Sequence, residues 1–429
     1  MTSPQSPQRV LLLTTPSSYR AEAFLTAALQ LGIIAEEVID SPPELAKDCP
    51  LAIDFRTDGA RDLLQQYAAD HPLAAIIAVD DSGSMLAAEA SAALGLPHNS
   101  PDTAIAARNK YVMRTLLKQG GVRVPTFTLH TLDEDLDALA QRVDYPCVVK
   151  PLELNGSRGV IRANTPQEFM VAVRRLAAIL HAIYPSGNAP VTFRGEIACD
   201  SARSFLVEAF IPGFEVALEG LLDHGQLQVL ALFDKPDPLD GPFFEETIYV
   251  TPSRLPEAVQ LAIQQCAAES AKALGLHNGP VHAEMRINEA GPWLVEAAGR
   301  SIGGLCSKTL RFGTDASLEE LILRQACGLP VDSLGRDGNA GGVMMIPIPD
   351  TGVLRAVHGV EEALAVAGIE SVEISAPLHN PIIPLPEGES YLGFIFARST
   401  SPDTVEAALR EAHAQLTFTI VPNIELARV

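Results

Sequence analysis

The sequence predicts an α/β protein of more than one domain. Short apolar runs alternate with segments at helical spacing over the first hundred residues, the pattern of a parallel sheet covered on both faces. At roughly 100–200 residues per domain, 429 residues make two to four domains. Hydrophobic residues are 47% and charged residues 20% of the chain, which suits a large buried core and not a disordered chain.

Residues 10–14 read as a strand, and 21–31 as a helix stopped by Gly32. A strand at 51–55, a helix around 61–69, a strand at 74–79 and a helix at 85–94 ending at Gly95 follow. No GxGxxG follows the first strand, so this unit reads as a Rossmann-like scaffold without a dinucleotide of its own. Pro101 and Asp102 open one helix expected to run to Gln119, where Gly120-Gly121 break it. A smaller α+β unit comes next: strand 126–129, helix 132–142, strands 147–150 and 160–163, helix 166–181. Residues 184–203, rich in Pro, Gly, Ser and Asn, read as a mobile connection. Strands dominate 204–298 around one helix near 256–274, and 318–327 is helical. The last ninety residues, from Gly342, read as a separate α+β unit with Pro-containing turns.

The formal charge of -22 excludes a general nucleic-acid binder and argues against anionic lipid. The longest apolar run, 73–79, is far too short to span a membrane, and the apolar run at 10–13 is too short for an export signal. Six scattered cysteines (Cys49, Cys147, Cys199, Cys266, Cys306, Cys327) form no CxxC pair and read as reduced, cytoplasmic thiols. The balance favours a small-molecule protein, and an anionic ligand would require scarce cations to be gathered at one place.

Four segments stand out together. In Val148-Val149-Lys150-Pro151, a strand ends in a lysine. The loop Asn155-Gly156-Ser157-Arg158-Gly159-Val160 then offers glycines that let backbone N–H groups approach a phosphate. The lysine precedes the glycines, so this is not a Walker loop; an ordinary hairpin with an exposed lysine is the competing reading. In the second segment, residues 205–215, Phe210 and Ile211 offer an apolar wall for a base. Glu208 lies on the strand before them, and Glu215 beyond Pro212-Gly213 offers acceptors for ribose hydroxyls; a plain strand pair competes. The third is a hairpin, residues 281–298. Centred on Ala290, it sets Glu284 opposite Glu296, a like-charge pair that a divalent cation would reconcile. The competing reading is a bulged hairpin whose glutamates diverge into solvent. In the fourth, Gly299-Arg300-Ser301-Ile302-Gly303-Gly304, an arginine beside a Gly-Gly loop is placed to bind an anion.

These features, with Lys110, occur in the order seen in ATP-grasp enzymes, and the chain resembles ATP-grasp carboxylate–amine ligases. It is most similar to bacterial L-amino acid ligases, the dipeptide synthetases of the bacilysin synthetase type. Residues 342–347 and 391–397 resemble the C-terminal unit of that subfamily. Many ATP-grasp enzymes carry Glu-x-Asn-x-Arg at the metal strand; here Ala298 stands where the Asn would be, as in the bacilysin-type ligases.

The resemblance implies an ATP-grasp fold in three units. Residues 1–104 form a Rossmann-like unit, 105–335 the ATP-grasp core with a small lid subdomain about 122–203, and 336–429 a C-terminal α+β unit. It implies ATP and Mg²⁺, two ions, with Mn²⁺ as a substitute. ATP would be held by Lys110, Lys150, Asn155, Gly156, Ser157, Gly159, Glu208, Phe210, Ile211 and Glu215, and the metal by Glu284 and Glu296. Arg300 and Lys150 would be catalytic. Glu245, Glu246, Tyr249, His282, Arg286, Gly303 and Gly304 are candidates for the substrate pocket, and Lys235 for facing the nucleotide. The partners implied are a small-molecule carboxylate, an amine and a second copy in a homodimer. The alternatives are another acyl-phosphate or carboxyphosphate enzyme, of the glycinamide ribonucleotide synthetase or biotin carboxylase type, or a non-catalytic nucleotide-binding module.

Overall fold

The computed structural model describes residues 7–422 apart from 17, 46–50, 58, 186–190, 195–196, 314 and 332. Cys49 lies outside the described residues; the other five cysteines are buried free thiols.

The chain opens with β1 (Arg9–Thr14), α1 (Ala21–Leu31), β2 (Ile34–Asp40), β3 (Ala52–Ile53), α2 (Ala60–Asp70), β4 (Ala75–Ala78) and α3 (Ser84–Leu94). The four strands form a parallel sheet in the order β3-β2-β1-β4. Strand β2 was not anticipated, because its Ala35-Glu36-Glu37 centre breaks the apolar run.

The helix expected over 101–119 is two helices, α4 (Pro101–Arg108) and α5 (Lys110–Gln119). Asn109 between them has extended backbone, and its side chain accepts hydrogen bonds from the N–H groups of Tyr111 and Val112. An asparagine satisfies free helix-start donors better than it continues a helix. The break sets Lys110 at the first position of α5.

A second unit contains β5 (Phe127–Thr131), α6 (Leu136–Ala140), β6 (Cys147–Pro151), β7 (Ile161–Ala163), α7 (Pro166–Ile183), β8 (Val191–Arg194), β9 (Ile197–Asp200) and β10 (Ser204–Ala209). Its sheet runs β5-β10-β6-β7 and packs on α7 through Phe169, Val173, Leu176 and Leu180. Helix α6 is shorter than expected because Asp135, not a residue near 132, caps its start. The described residues of 184–203 form the hairpin β8-β9 and not a structureless connection.

The large sheet begins with β11 (Phe214–Asp223), β12 (Gln226–Lys235), β13 (Ile248–Thr251), α8 (Glu257–Leu274), β14 (Gly279–Asn288) and β15 (Gly291–Ala298), followed by α9 (Leu318–Ala326). Beyond it come β16 (Ala340–Ile346), β17 (Gly352–His358), α10 (Val360–Leu364), β18 (Ile369–Glu373), β19 (Pro381–Ile382), β20 (Gly393–Ser399), α11 (Pro402–Gln415) and β21 (Thr417–Val421). The sheet order is β15-β14-β11-β12-β13-β16-β20-β18. Strands of the last ninety residues therefore continue the same hydrogen-bonded sheet through the β13–β16 ladder. One apolar cluster joins Leu12 and Phe24 of the first unit, Ala217 and Phe233 of the large sheet, and Phe394 and Phe396 of β20. The three regions thus meet around one core, and the cavity described below opens at their junction.

Candidate active site

A cavity of about 840 Å³ is lined by residues from all three regions. Its floor is one face of the large sheet. Successive strand residues point to opposite faces, so Glu215, Ala217 and Glu219 of β11 share a side. The ladder places Glu215 opposite Arg286, Ala217 opposite Glu284, and Glu219 opposite His282. On the other edge of β11, Glu215 faces Lys235. Ionisable pairs thus surround one small residue, Ala217, which leaves room over Glu284.

Glu284 and Glu296 face each other across β14 and β15, as the sequence suggests, but a bulge sets the register. The turn pairs Asn288 with Gly291, and the ladder continues to Met285 opposite Leu294. Without an irregularity Glu284 would meet Val295. A bulge between Glu284 and Met285 leaves Val295 unpaired and brings Glu296 opposite Glu284.

The side chains of Glu284 and Glu296 are 20% and 27% exposed, whereas Glu208, Glu215 and Glu219 keep 2%, 7% and 0%. Lys110 Nζ lies 3.5 Å from Glu296 and donates to the Leu154 carbonyl at 2.9 Å. Lys235 Nζ lies 2.8 Å from Glu215 and 3.5 Å from Glu284, and it also donates to Glu246. Burial disfavours its charge, but Glu215, Glu246 and Glu284 together raise the Lys235 pKa well above the usual lysine range. Burial and the Glu284 charge push Glu246 up to about 7 against the pull of Lys235. Burial opposes ionisation of Glu284 as well, yet Lys235 and His282 hold its carboxyl well below the usual range.

His282 donates from Nδ1 to Glu219 at 3.2 Å and from Nε2 to Glu284 at 3.2 Å. Burial works against the imidazolium, but these two hydrogen bonds and charges raise it to about 9.

On the opposite wall, Glu208 Oε1 accepts from Arg114 Nε at 2.6 Å and Oε2 from Arg114 Nη2 at 3.2 Å, and Lys150 Nζ lies 2.8 Å from the same Oε2. Burial alone would raise the Glu208 pKa; the Arg114 and Lys150 charges overcome it and hold the carboxyl down to about 2. Glu208 therefore sits behind Lys150 and orients it.

The loop after Lys150 is shaped by left-handed backbone: Gly156, Ser157 and Gly159 have φ of +59°, +56° and +72°. A Cβ at Gly159 would lie 2.9 Å from Leu176, so the position also needs a glycine for space. The loop rests on the C-terminal region. Gly159 N–H donates to the Pro386 carbonyl at 2.9 Å, Arg158 pairs with Glu389 at 3.2 Å, and Arg175 grips Glu387 with two bonds of 2.8 Å.

Phe210 and Ile211 line the cavity with Val148, Val160 and Leu239. Arg286 braces this wall. It donates to the carbonyls of Ile211 and Leu239 at 2.9 Å each and lies 4.9 Å from the Phe210 ring. It is 3% exposed, and these carbonyls take Nη1 and Nη2, while Nε has no hydrogen-bond partner among the described residues. Glu215, expected to offer oxygens to ribose, is instead bound to Lys235 and lies 3.6 Å from Arg286, because both cations are its cross-strand neighbours.

Arg300 donates to Asp81 at 2.8 Å and to the Ser301 carbonyl at 2.9 Å. Burial opposes its charge, but Asp81, Glu296 and Glu284 raise its pKa further above the usual arginine range. Arg20 holds the same loop, donating to Ser301 Oγ at 2.6 Å. Gly303, Gly304, Tyr249 and Glu246 line the cavity; Glu245 does not. The far end is walled by Tyr19, Cys306, Met345, Tyr391 and Phe394, whose ring is 5.9 Å from Tyr19 and 6.1 Å from Tyr391.

Sequence reasoning missed Arg114, Glu219, Asp81 and Arg20. The available signal for Glu219 was its shared strand parity with Glu215.

Comparisons with known proteins identify two domains. Residues 143–309 match the model of an ATP-grasp domain, and 344–421 match L-amino acid ligase C-terminal domain 2. The fold superposes on an L-amino acid ligase from Bacillus licheniformis with a TM-score of 0.79 and 25% identity, covering 96% of this chain and 99% of that one.

The chain carries an ATP-grasp domain.

The ATP-grasp fold expected from the resemblance is therefore present. This ATP-grasp chain is also 26% identical over 369 residues to an alanine–anticapsin ligase of Bacillus subtilis, covering 77% of this chain and 74% of that protein. An uncharacterised protein of Sinorhizobium fredii is 23% identical over 342 residues, and the match spans 77% of this chain but only 65% of that relative.

Proposed function

We propose that this ATP-grasp chain activates a carboxylate, an amino acid, as an acyl phosphate and joins it to an amine, releasing ADP and phosphate. The observation that carries this reading is the two-sided cavity. Lys150 enters from one wall, the cavity-facing carboxylates of Glu284 and Glu296 stand on the sheet with Lys110 3.5 Å from Glu296, and Arg300 sits beside them on the next loop.

The residues present fit a hard divalent cation. Glu284 and Glu296 offer oxygen donors from facing positions, and they are more exposed to the cavity than Glu208, Glu215 or Glu219. Two Mg²⁺ ions, with Mn²⁺ as a substitute, fit this reading, and Mg²⁺ supplies charge neutralisation at the phosphates.

The chain's own groups do the rest. Phe210 and Ile211 take the base, and the N–H groups of residues 155–157 take the phosphates, while Gly159, whose N–H is held by the Pro386 carbonyl, shapes the loop and does not bind them. Lys150, fixed by Glu208, and Lys110 draw negative charge from the transferring phosphoryl group. Burial lowers the Lys150 pKa, and the Glu208 charge opposes that shift. The carboxylate oxygen attacks the γ-phosphorus, ADP leaves, and the amine nitrogen then attacks the acyl carbon and expels phosphate. Arg300, its fork fixed by Asp81, stabilises the oxyanion formed in that attack. The 155–159 loop, resting on 386–389, excludes water that would hydrolyse the acyl phosphate.

The same reading keeps three functional units at 1–104, 105–335 and 336–429, places the protein in the cytoplasm and makes it a homodimer. Among the described residues, no helix is long and apolar enough to cross a membrane.

The test is product analysis with ATP, Mg²⁺ and a panel of amino-acid pairs. A new amide with equal ADP and phosphate supports the reading. AMP with pyrophosphate refutes the acyl-phosphate route. Tight ATP binding without turnover on any acid favours the non-catalytic module.

A further inference from the structure

The mechanism above makes no use of the carboxylate of Glu219. It lies at the middle of β11, fully buried, and one of its oxygens, Oε1, has no hydrogen-bond partner. Among the described residues its sole ion-pair partner is His282. Burying a carboxylate costs several kcal/mol after relaxation, more than a single histidine contact readily returns. A leucine or methionine would fill this position of an apolar sheet more cheaply. The carboxylate therefore calls for a role other than stability.

Its contacts show what that role is. Oε2 accepts from His282 Nδ1 at 3.2 Å and from the N–H of Ile302 at 3.0 Å. His282 passes the first contact on, donating from Nε2 to Glu284 at 3.2 Å. Ile302 lies two residues beyond Arg300, in the loop that ends at Gly303-Gly304. One oxygen thus touches both parts of the site: the strand carrying a metal-facing carboxylate and the loop carrying the anion-binding arginine. Cross-strand pairing makes the arrangement stiff, because Glu219 faces His282 in the ladder and His282 faces Ala298 on its other side. The methyl of Ala298 leaves the imidazole room to stand between the two glutamates.

We infer that Glu219 is a positioning residue that acts through His282 to aim the Glu284 carboxylate at the divalent cation, and through the Ile302 N–H to hold the Arg300 loop in register with it. A carboxylate that orients a histidine, which in turn orients a metal-facing group, tunes affinity without touching the ion, and losing such a partner typically lowers metal affinity about 10–100-fold. The inference rests on the ligase reading for its consequence in turnover, but its metal-binding consequence stands apart from it.

The experiment measures Mn²⁺ binding by electron paramagnetic resonance in the presence of ADP, for the full chain and for Glu219→Gln, His282→Gln and the double variant. Steady-state kinetics run alongside. Glu219→Gln keeps the size of the side chain and removes its charge; His282→Gln breaks the chain one link later and serves if the first variant does not fold. The expected result is a weakening of Mn²⁺ affinity of about 10-fold or more in each single variant. The double variant should be no worse than the poorer single one, because residues acting in series are not additive. ADP affinity without metal should be unchanged. Folded variants that bind Mn²⁺ as the parent does, or losses that add in the double variant, overturn the inference. If the parent forms no amide yet the variants lose Mn²⁺ affinity, the ligase reading fails and the inference stands; if amide forms and Mn²⁺ affinity never moves, the reverse holds.

Discussion

Replacing Glu208 by glutamine should uncover a large electrostatic contribution in the site. Glu208 is buried against Arg114 and Lys150 at 2.6 and 2.8 Å, and those charges hold its carboxyl near 2 instead of the ordinary 4.5. The difference is worth about 3 kcal/mol of native stability, and leaving buried cations unpaired by removing their partner costs about 3–5 kcal/mol by a separate route. The sign follows from the depressed value. The contribution is complete above the ordinary carboxylate range and is lost as pH falls from about 4.5 toward 2. Guanidinium denaturation followed by the fluorescence of Trp293, the single tryptophan, reads the effect, because Trp293 lies on β15 of the core sheet. At pH 7, Glu208→Gln should be less stable by about 3 kcal/mol. The gap should narrow below pH 4.5. Lys150 loses its anchor at the same time, so KM for ATP should rise. A gap under about 0.5 kcal/mol at pH 7, the size of an ordinary surface substitution, would refute the reasoning. So would a gap that does not change with pH.

Glu296→Gln should abolish turnover and leave the fold intact, with thermal unfolding as the control; an active variant refutes the metal assignment. Arg175→Ala cuts the tie between α7, which packs against the loop at Gly159, and Glu387. The pair is about 40% exposed, so stability should change by less than about 1 kcal/mol. Phosphate release without amine should rise, and an unchanged ratio of phosphate to amide would show that this tie does not help close the site. Tyr391→Ala should widen the aromatic end of the cavity and shift kcat/KM toward bulkier amino-acid side chains across a substrate panel, whereas a uniform loss would mean the ring does not meet the side chain. Burial pushes the Cys147 thiol up to about 12 and those of Cys199 and Cys327 up to about 11, so these thiols should resist iodoacetamide at pH 8 until denaturant is added. Rapid alkylation in the native protein would contradict the burial.

The parts of the site legible in the sequence lie on short continuous segments. Lys150 and its glycine loop, the Glu284–Glu296 hairpin and Arg300 each occupy a strand, a turn or the residues just after one, where local spacing carries the geometry. The Glu284–Glu296 pairing was foreseen from a symmetric hairpin, yet a bulge at Val295 produces it, and bulges leave no mark on simple alternation. Arg114 meets Glu208 across 94 residues and Arg300 meets Asp81 across 219, and no periodicity reports such partners. Glu215 reads as a ribose acceptor from its place beyond Pro212-Gly213, and Arg286 as a candidate for the substrate pocket. In the fold, Glu215 is bound by its cross-strand neighbour Lys235, and Arg286 by the carbonyls of Ile211 and Leu239. The helix break at Asn109 was legible in principle, since asparagine caps helices better than it extends them. The unbroken ladder from β13 to β16 was not, because strand neighbours distant in sequence are chosen by the whole sheet.

The most direct test of the central claim follows the oxygen atom. An amino acid labelled with ¹⁸O in both carboxylate oxygens is incubated with the protein, ATP, Mg²⁺ and an amine, and the phosphate released is examined by mass spectrometry. Attack of the carboxylate on the γ-phosphorus carries one labelled oxygen into phosphate for every amide formed. One ¹⁸O per phosphate, in step with amide, is the result predicted. Unlabelled phosphate, or label found in AMP, would contradict the acyl-phosphate reaction on which this account rests.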